Sequence, residues 1–294
     1  MKIRLALLAS AAVLCTSVVA QQPPPQAPAP AAVQAPQGPP LRVFIHAGLK
    51  THAEGQHDYP QFLADWSKLL TNRGAMVDGG LHFPSARELA ATDVMIIYKG
   101  DAGYLSMEDR LTLDNFLRRG GGLVSFHDAL CGPEPDQFAS FVGGAKKHGE
   151  VNYTLEADVP YTVVDTANPI MKGVTNFTIK DEAFFNMTWS KAPEINVLAT
   201  AVMAKTPSAG THAGEVVPQI WTYEKNLVPG PGSQPFRAFV WMQGHNYVNF
   251  SHPEVQPMLL RGIAWAGRRP VDALATERPQ RGGGGRGRGR GGQF

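Results

Sequence analysis

The sequence predicts an α/β fold in which a parallel sheet carries helices on both faces and passes into a more β-rich second half. Three observations lead there. Short apolar runs at 41–45, 94–98 and 123–126 alternate with segments whose apolar residues recur at helical spacing. The stretch GGGLVSFHDAL at 120–130 leads three glycines into a buried run ending on His127 and Asp128, at the strand edge where open α/β sheets place ligands. Beyond residue 150, strand-like runs outnumber helices.

Leu41 to Ile45 reads as the first strand, and Phe62, Leu63, Trp66, Leu69 and Leu70 mark the amphipathic helix after it. Val94 to Tyr98, apolar without interruption, is a strand buried on both faces. Ser106-Met-Glu-Asp109 starts the next helix like a capping box with Asp in the acidic place. That helix turns Leu113, Phe116 and Leu117 inward and stops at Gly120 to Gly122. Leu123 to Phe126 is the third strand, and the β-α-β-α-β order calls for right-handed crossovers. Further strands are expected at 153–156, 161–164, 196–201, 216–222 and 236–242, with a closing helix from about Pro253 to Ala266. Loops are expected at 207–215 and 223–235, the second with a PGPG turn.

The ends read differently. Residues 1–20 look like an export signal: Lys2 and Arg4, an apolar core from Leu5 to Val19, then the cleavage pattern Val18-Val19-Ala20. That core is too short to span a membrane, and no later segment approaches the ~20 apolar residues a span needs. A periplasmic or secreted protein that is not integral to the membrane is expected. A lipid anchor on Cys15 is disfavoured by bulky Leu14. Residues 21–40 form a Pro/Ala/Gln-rich disordered linker, 41–267 one α/β domain, and 268–294 an Arg/Gly-rich disordered tail. Such tails contact nucleic acid inside cells. Behind an export signal, solvation or contact with an envelope polyanion is the reading, and nucleic acid is not an expected partner.

Signal cleavage leaves Cys131 as the sole cysteine, so no internal disulfide is expected. It reads as a nucleophile or, more simply, a small buried thiol. Lys2 and Arg4 contribute two positive charges. From Arg268 onward, seven arginines against Asp272 and Glu277 contribute five. The +2 total therefore leaves −5 on residues 41–267. The folded part is mildly acidic.

Three histidines stand at strand ends: His46, His127 and His245. The loop KTHAEGQHDYP adds His52, Glu54, His57 and Asp58, suited to a divalent metal or sugar hydroxyls, although Asp58 equally suits a helix cap. Lys99 and Asp101 follow the second strand, where a plain turn is the competing account. His148 closes FVGGAKKH. Asp181-Glu182 precedes aromatics, so it is either an acid–base group with a raised pKa or a surface acidic pair. Trp221 and Tyr223 offer faces for sugar stacking or belong to the core. His82 and His252 look structural, and His212 is uninformative.

Taken in order, GGGLVSFHDA, FVGGAKKH, Asn168-Pro-Ile-Met-Lys-Gly, Ile179-Lys-Asp-Glu182, Pro218-Gln-Ile-Trp221, the Phe236-to-His245 segment and Leu260-Arg-Gly-Ile-Ala-Trp265-Ala span nearly all of 41–267. This ordered set resembles the trehalose-utilisation, or ThuA-like, family. The resemblance implies a flavodoxin-like three-layer α/β sandwich with a mostly parallel central sheet, related to class I glutamine amidotransferases. Where those enzymes carry a cysteine, this chain has His127, and Cys131 lies four residues too late to replace it. Acyl transfer from glutamine is therefore not expected.

The resemblance also implies carbohydrate work, with His127, His148, Glu182, Trp221 and His245 matching the family's polar and aromatic positions. Two departures bear on the substrate rim: Asn168 stands where the family usually has histidine, and Gly232-Ser-Gln-Pro-Phe-Arg237 replaces the common Gly-Lys-Gly-Arg turn. The resulting expectation is an exported enzyme that hydrolyses or isomerises a glycoside or keto-sugar. His127, His148 and His245 would bind a divalent metal such as zinc. Glu182, His57 and Asp58 would be catalytic, and Trp221, Lys99, Asp101 and Arg237 would contact sugar. No nucleotide cofactor is expected. The rival expectation is a non-catalytic carbohydrate-binding or scaffold protein using the same cleft.

Overall fold

The structure is a computed structural model that describes residues 38–191 and 195–276. The expected export signal, most of the linker and most of the Arg/Gly tail lie outside the described residues.

The first half runs β1 (Arg42–Ala47), α1 (Tyr59–Asn72), β2 (Met76–Gly80), α2 (Ala86–Ala90), β3 (Val94–Tyr98), α3 (Met107–Arg118) and β4 (Gly122–Phe126). After a 3-10 turn at His127–Leu130 come β5 (Cys131–Gly132), α4 (Pro135–Val142) and β6 (Gly144–Lys147). The second half holds β7 (Ala157–Val163), β8 (Phe177–Asp181), β9 (Thr188–Trp189), β10 (Ile195–Val202), β11 (Val216–Lys225), β12 (Phe236–Trp241) and α5 (Val255–Ala266).

Local chemistry explains the helices. Pro60 opens α1, which turns Phe62, Trp66 and Leu70 inward at four-residue spacing. Ser106 accepts a hydrogen bond from the Asp109 N–H at the start of α3, and Leu113, Phe116 and Leu117 are buried. Two apolar layers result. α1 and α5 cover one face of the sheet, and α3 and α4 cover the other, so β3 and β4 are buried on both faces.

The main sheet has nine strands in the order β2-β1-β3-β4-β12-β11-β10-β7-β8. The pairs from β2 to β12 are parallel, and those from β12 to β8 are antiparallel. The expectation of a mostly parallel sheet is thus corrected: the sheet is mixed, half and half. The reason lies in the connections. β10, β11 and β12 follow one another without a crossover helix, and only such a helix returns the chain for parallel pairing. The segment expected as a strand at 153–156 makes only an isolated bridge, Tyr153 to Phe184.

The folded chain also runs past Gly267. Asp272 pairs with Arg261 at 2.9 Å and Lys172 at 2.7 Å, and Leu274 is buried against the core. Residues 268–276 therefore belong to the domain and not to the tail.

Candidate active site

The parallel strands end together, and their following loops meet over one edge. His127 stands directly after β4, at the start of the 3-10 turn, with φ 53°, a left-handed conformation rare for a residue with a Cβ. Gly244, at φ +128°, lies against it: a Cβ there would stand 3.4 Å from the His127 Cβ and 3.1 Å from Phe250. His245 follows Gly244 in the loop after β12. The loop after β1 reaches across to the same place. Its Lys50 ammonium donates to the carbonyls of Thr51, Ala53 and Gln56 and pairs with Asp58 at 3.0 Å. The His57 N–H then donates to the His245 carbonyl at 2.9 Å.

Three buried imidazoles converge as a result. His57 Nε2 lies 2.9 Å from His127 Nε2 and 3.0 Å from His245 Nδ1. The outer nitrogens are committed elsewhere. His127 Nδ1 is 3.3 Å from the Met242 carbonyl, which can only accept, so this nitrogen carries the proton and Nε2 keeps its lone pair. His245 Nε2 faces the Glu156 carboxylate at 3.6 Å, which likewise favours a proton there. His57 Nδ1 meets the Thr51 hydroxyl at 3.0 Å. Inward lone pairs repel unless a proton or a cation sits among them. Burial lowers the pKa of all three rings, that of His57 to about 2, so the rings stay neutral. Either His57 Nε2 carries its proton inward, with Nδ1 accepting from Thr51, or the three lone pairs turn to a cation. The ligand nitrogens lie within 4.8 Å of one another, compatible with one ion.

A carboxylate completes the set. Glu182 Oε2 is 3.5 Å from His245 Nδ1 and 3.9 Å from His127 Nε2. Burial, reinforced by Asp181 and opposed by Lys146, lifts Glu182 to about 7. Asp181, fully buried at the end of β8, fixes the frame. It accepts from the N–H groups of Glu182, Gly244, His245 and Asn246 and from the Asn249 amide, at 2.7–3.3 Å. One side chain thereby ties the Glu182 backbone to the His245 loop.

The site opens into a polar pocket of about 850 Å³ that also exposes Asp101, Asp128, Lys146, His148, Tyr153 and Glu156. Lys146 pairs with Asp128 at 3.0 Å and lies 3.9 Å over the Phe184 ring, which stacks on His127.

The model of the family described as ThuA, trehalose utilisation, matches residues 50–266. The chain belongs to the ThuA family. Among solved structures it is similar to a ThuA-like protein from Bacteroides uniformis (18% identity, 80% of this chain and 94% of that one, TM-score 0.59). It is equally similar to a ThuA-like protein from Parabacteroides merdae (18% identity, 78% and 90%, TM-score 0.58). At these identities the likeness is one of fold. Comparison with the curated proteins finds no match.

In this ThuA chain several expected positions move. His148 is not a partner of His127 and His245. It follows β6, where its N–H donates to the Gly132 carbonyl, and its ring meets Asp101 at 2.8 Å. His57 takes the third place in the trio. His46 does not join: strand alternation puts it on the Phe44 face of β1, where its ring packs on Phe83 at 5.7 Å. Trp221 is core, fully buried, with its indole N–H donating to the Val142 carbonyl at 2.7 Å. Tyr223 is buried alongside it. Arg237 stands at the start of β12, about 13 Å of strand from the end that faces the site. It pairs there with Glu224 at 2.9 Å. Lys99 turns its ammonium back on the Gly100 and Asp101 carbonyls and does not line the pocket. Asp58 stands at the start of α1 without capping it and serves Lys50 instead.

Asp101, Glu182 and His57 do line the pocket, with His52 at its mouth. Lys146 and Glu156 had no sequence signal, because a lysine in a KK pair and a glutamate in a loop look like ordinary surface charge.

Proposed function

We propose that this ThuA protein is an exported enzyme of carbohydrate metabolism that hydrolyses or isomerises a glycoside or keto-sugar with the help of a divalent cation. The observation that carries the reading is the convergence of the His57, His127 and His245 lone pairs beside Glu182. Three imidazoles and a nearby carboxylate suit zinc or manganese, and such an ion polarises a carbonyl or activates water when bound. Glu182, lifted to about 7, exchanges a proton near neutral pH and serves as the acid or base. Asp181 holds Glu182 and His245 in register. The polar lining, with Asp101, Asp128, Lys146 and Glu156, suits the hydroxyls of a sugar.

The test is metal analysis of the purified chain, joined to turnover of a panel of disaccharides and their 3-keto forms with and without added zinc or manganese. Bound metal and metal-dependent turnover are expected. A protein free of metal whose activity ignores both ions would remove the mechanism. Sugar binding that persists without any turnover would leave a carbohydrate-binding scaffold in its place.

A further inference from the structure

Away from the histidine trio, the same pocket holds a second convergence of ligand-type atoms. Asp101, Cys131 and His148 bring a carboxylate oxygen, a sulfur and an imidazole nitrogen within 4.8 Å of one another. His148 Nδ1 lies 2.8 Å from Asp101 Oδ1 and 3.8 Å from Cys131 Sγ. A tetrahedral zinc ion with metal–sulfur bonds of about 2.3 Å and metal–nitrogen or –oxygen bonds of about 2.0 Å sets sulfur–nitrogen pairs about 3.6 Å apart and nitrogen–oxygen pairs about 3.3 Å apart. The sulfur–nitrogen pair is nearly at that spacing. The other pair has to open by only about half an ångström, and both of its side chains are partly exposed.

A Cys-His-Asp proton relay does not fit these atoms. In a relay the acid and the nucleophile use opposite nitrogens of the ring. Here Asp101 and Cys131 both meet Nδ1.

The backbone holds the three residues in place. The Asp101 N–H donates to the Asp128 carbonyl, Gly103 to Cys131, and His148 to Gly132, at 2.9–3.0 Å. Gly103 and Gly132 touch: a Cβ on Gly132 would stand 2.6 Å from the Gly103 Cα, so only glycine permits the approach. Lys146, across from Cys131 in the β5–β6 register, is already paired with Asp128 and seated on Phe184.

We propose that Asp101, Cys131 and His148 bind a zinc-class divalent cation at a second site, separate from the histidine trio and opening into the same pocket. Three protein ligands leave the fourth position for a ligand oxygen from the pocket.

Cobalt substitution tests this in the full chain. Cys15, the other cysteine of the full chain, is first replaced by serine; the trio offers no sulfur, so in that background a thiolate-to-cobalt charge-transfer band reports this site alone. The Cys15→Ser protein is expected to show the band and to bind two cobalt ions. Cys131→Ser should abolish the band and leave one ion. His148→Ala, on an exposed side chain, should weaken the band's cobalt affinity about ten-fold or more. His57→Ala with His245→Ala should remove the other ion and keep the band. A Cys15→Ser protein without the band, or a band that survives Cys131→Ser, overturns the second site. Loss of the trio's ion alone overturns the reading of the trio and leaves this one standing.

Discussion

Burial holds His57, His127 and His245 in the neutral form that presents a lone pair, and this has a consequence for stability. Their folded-state pKa values lie below that of free imidazole, about 6.5. Above that pH both folded and unfolded chains hold these rings neutral, and nothing is lost. As the pH falls below it, the unfolded chain takes up protons that the folded chain refuses, so stability declines. Asp181 and Glu182, both raised to about 7, contribute the opposite slope between pH 7 and 5. The difference is therefore what reports the histidines: the thermal midpoint of chelated His57→Gln should rise relative to that of the chelated wild type as the pH falls from 7 to 5. Glu182 runs the other way, its pKa raised into the neutral range. Glu182→Gln keeps the shape and removes the titrating proton. Steady-state kinetics should show kcat reduced by about 10²–10⁴, with metal content unchanged.

At the scale of elements, the decisive contact is the end of β8 against the loop after β12. Asp181 answers four backbone N–H groups and one amide there. Asp181→Asn puts an amide donor among donors, and a buried group left unpaired costs about 1–3 kcal/mol. A lower unfolding midpoint is expected together with weaker metal binding at the trio, since His245 loses its frame. Isothermal titration with zinc would read the second effect.

Val94–Tyr98 was legible in the sequence residue for residue, because a strand buried on both faces is apolar throughout. β2, MVDGG, sits at the sheet edge, and its half-exposed residues and two glycines carry no strand signal. β8 alternates buried and exposed residues over only five positions, and α4 is a short helix that begins on Pro135. His127 and His245 were legible as candidate-site residues by their places at strand ends, and Glu182 as a carboxylate set before aromatics. Trp221 misled because an aromatic on a strand gives no sign of which face it occupies. His148 lies beside Asp101 and Cys131 and not beside His127 and His245, a difference that spacing along the chain does not show.

For the molecule as a whole, the chain beyond α5 acts as a strap. Lys172, Arg261 and Asp272 join it to the body, and Leu274 fills a place in the core. A chain ended at residue 276 should unfold at the wild-type temperature. One ended at 267 should lose about 2 kcal/mol or more, the worth of burying one leucine, visible as a lower denaturant midpoint. Among the described residues no helix is long and apolar enough to cross a membrane.

The loop that delivers His57 is also stitched to the far end of the chain. Gln56 bridges to Asn246, Tyr247 donates to the Gly55 carbonyl, and the paired imidazoles of His57 and His245 are 188 positions apart. An occupant of the trio would therefore work as a clasp, closing the opening and final quarters of the domain upon each other. The backbone ties hold the loop by themselves, so such an ion would add one more link to a closure the chain already makes.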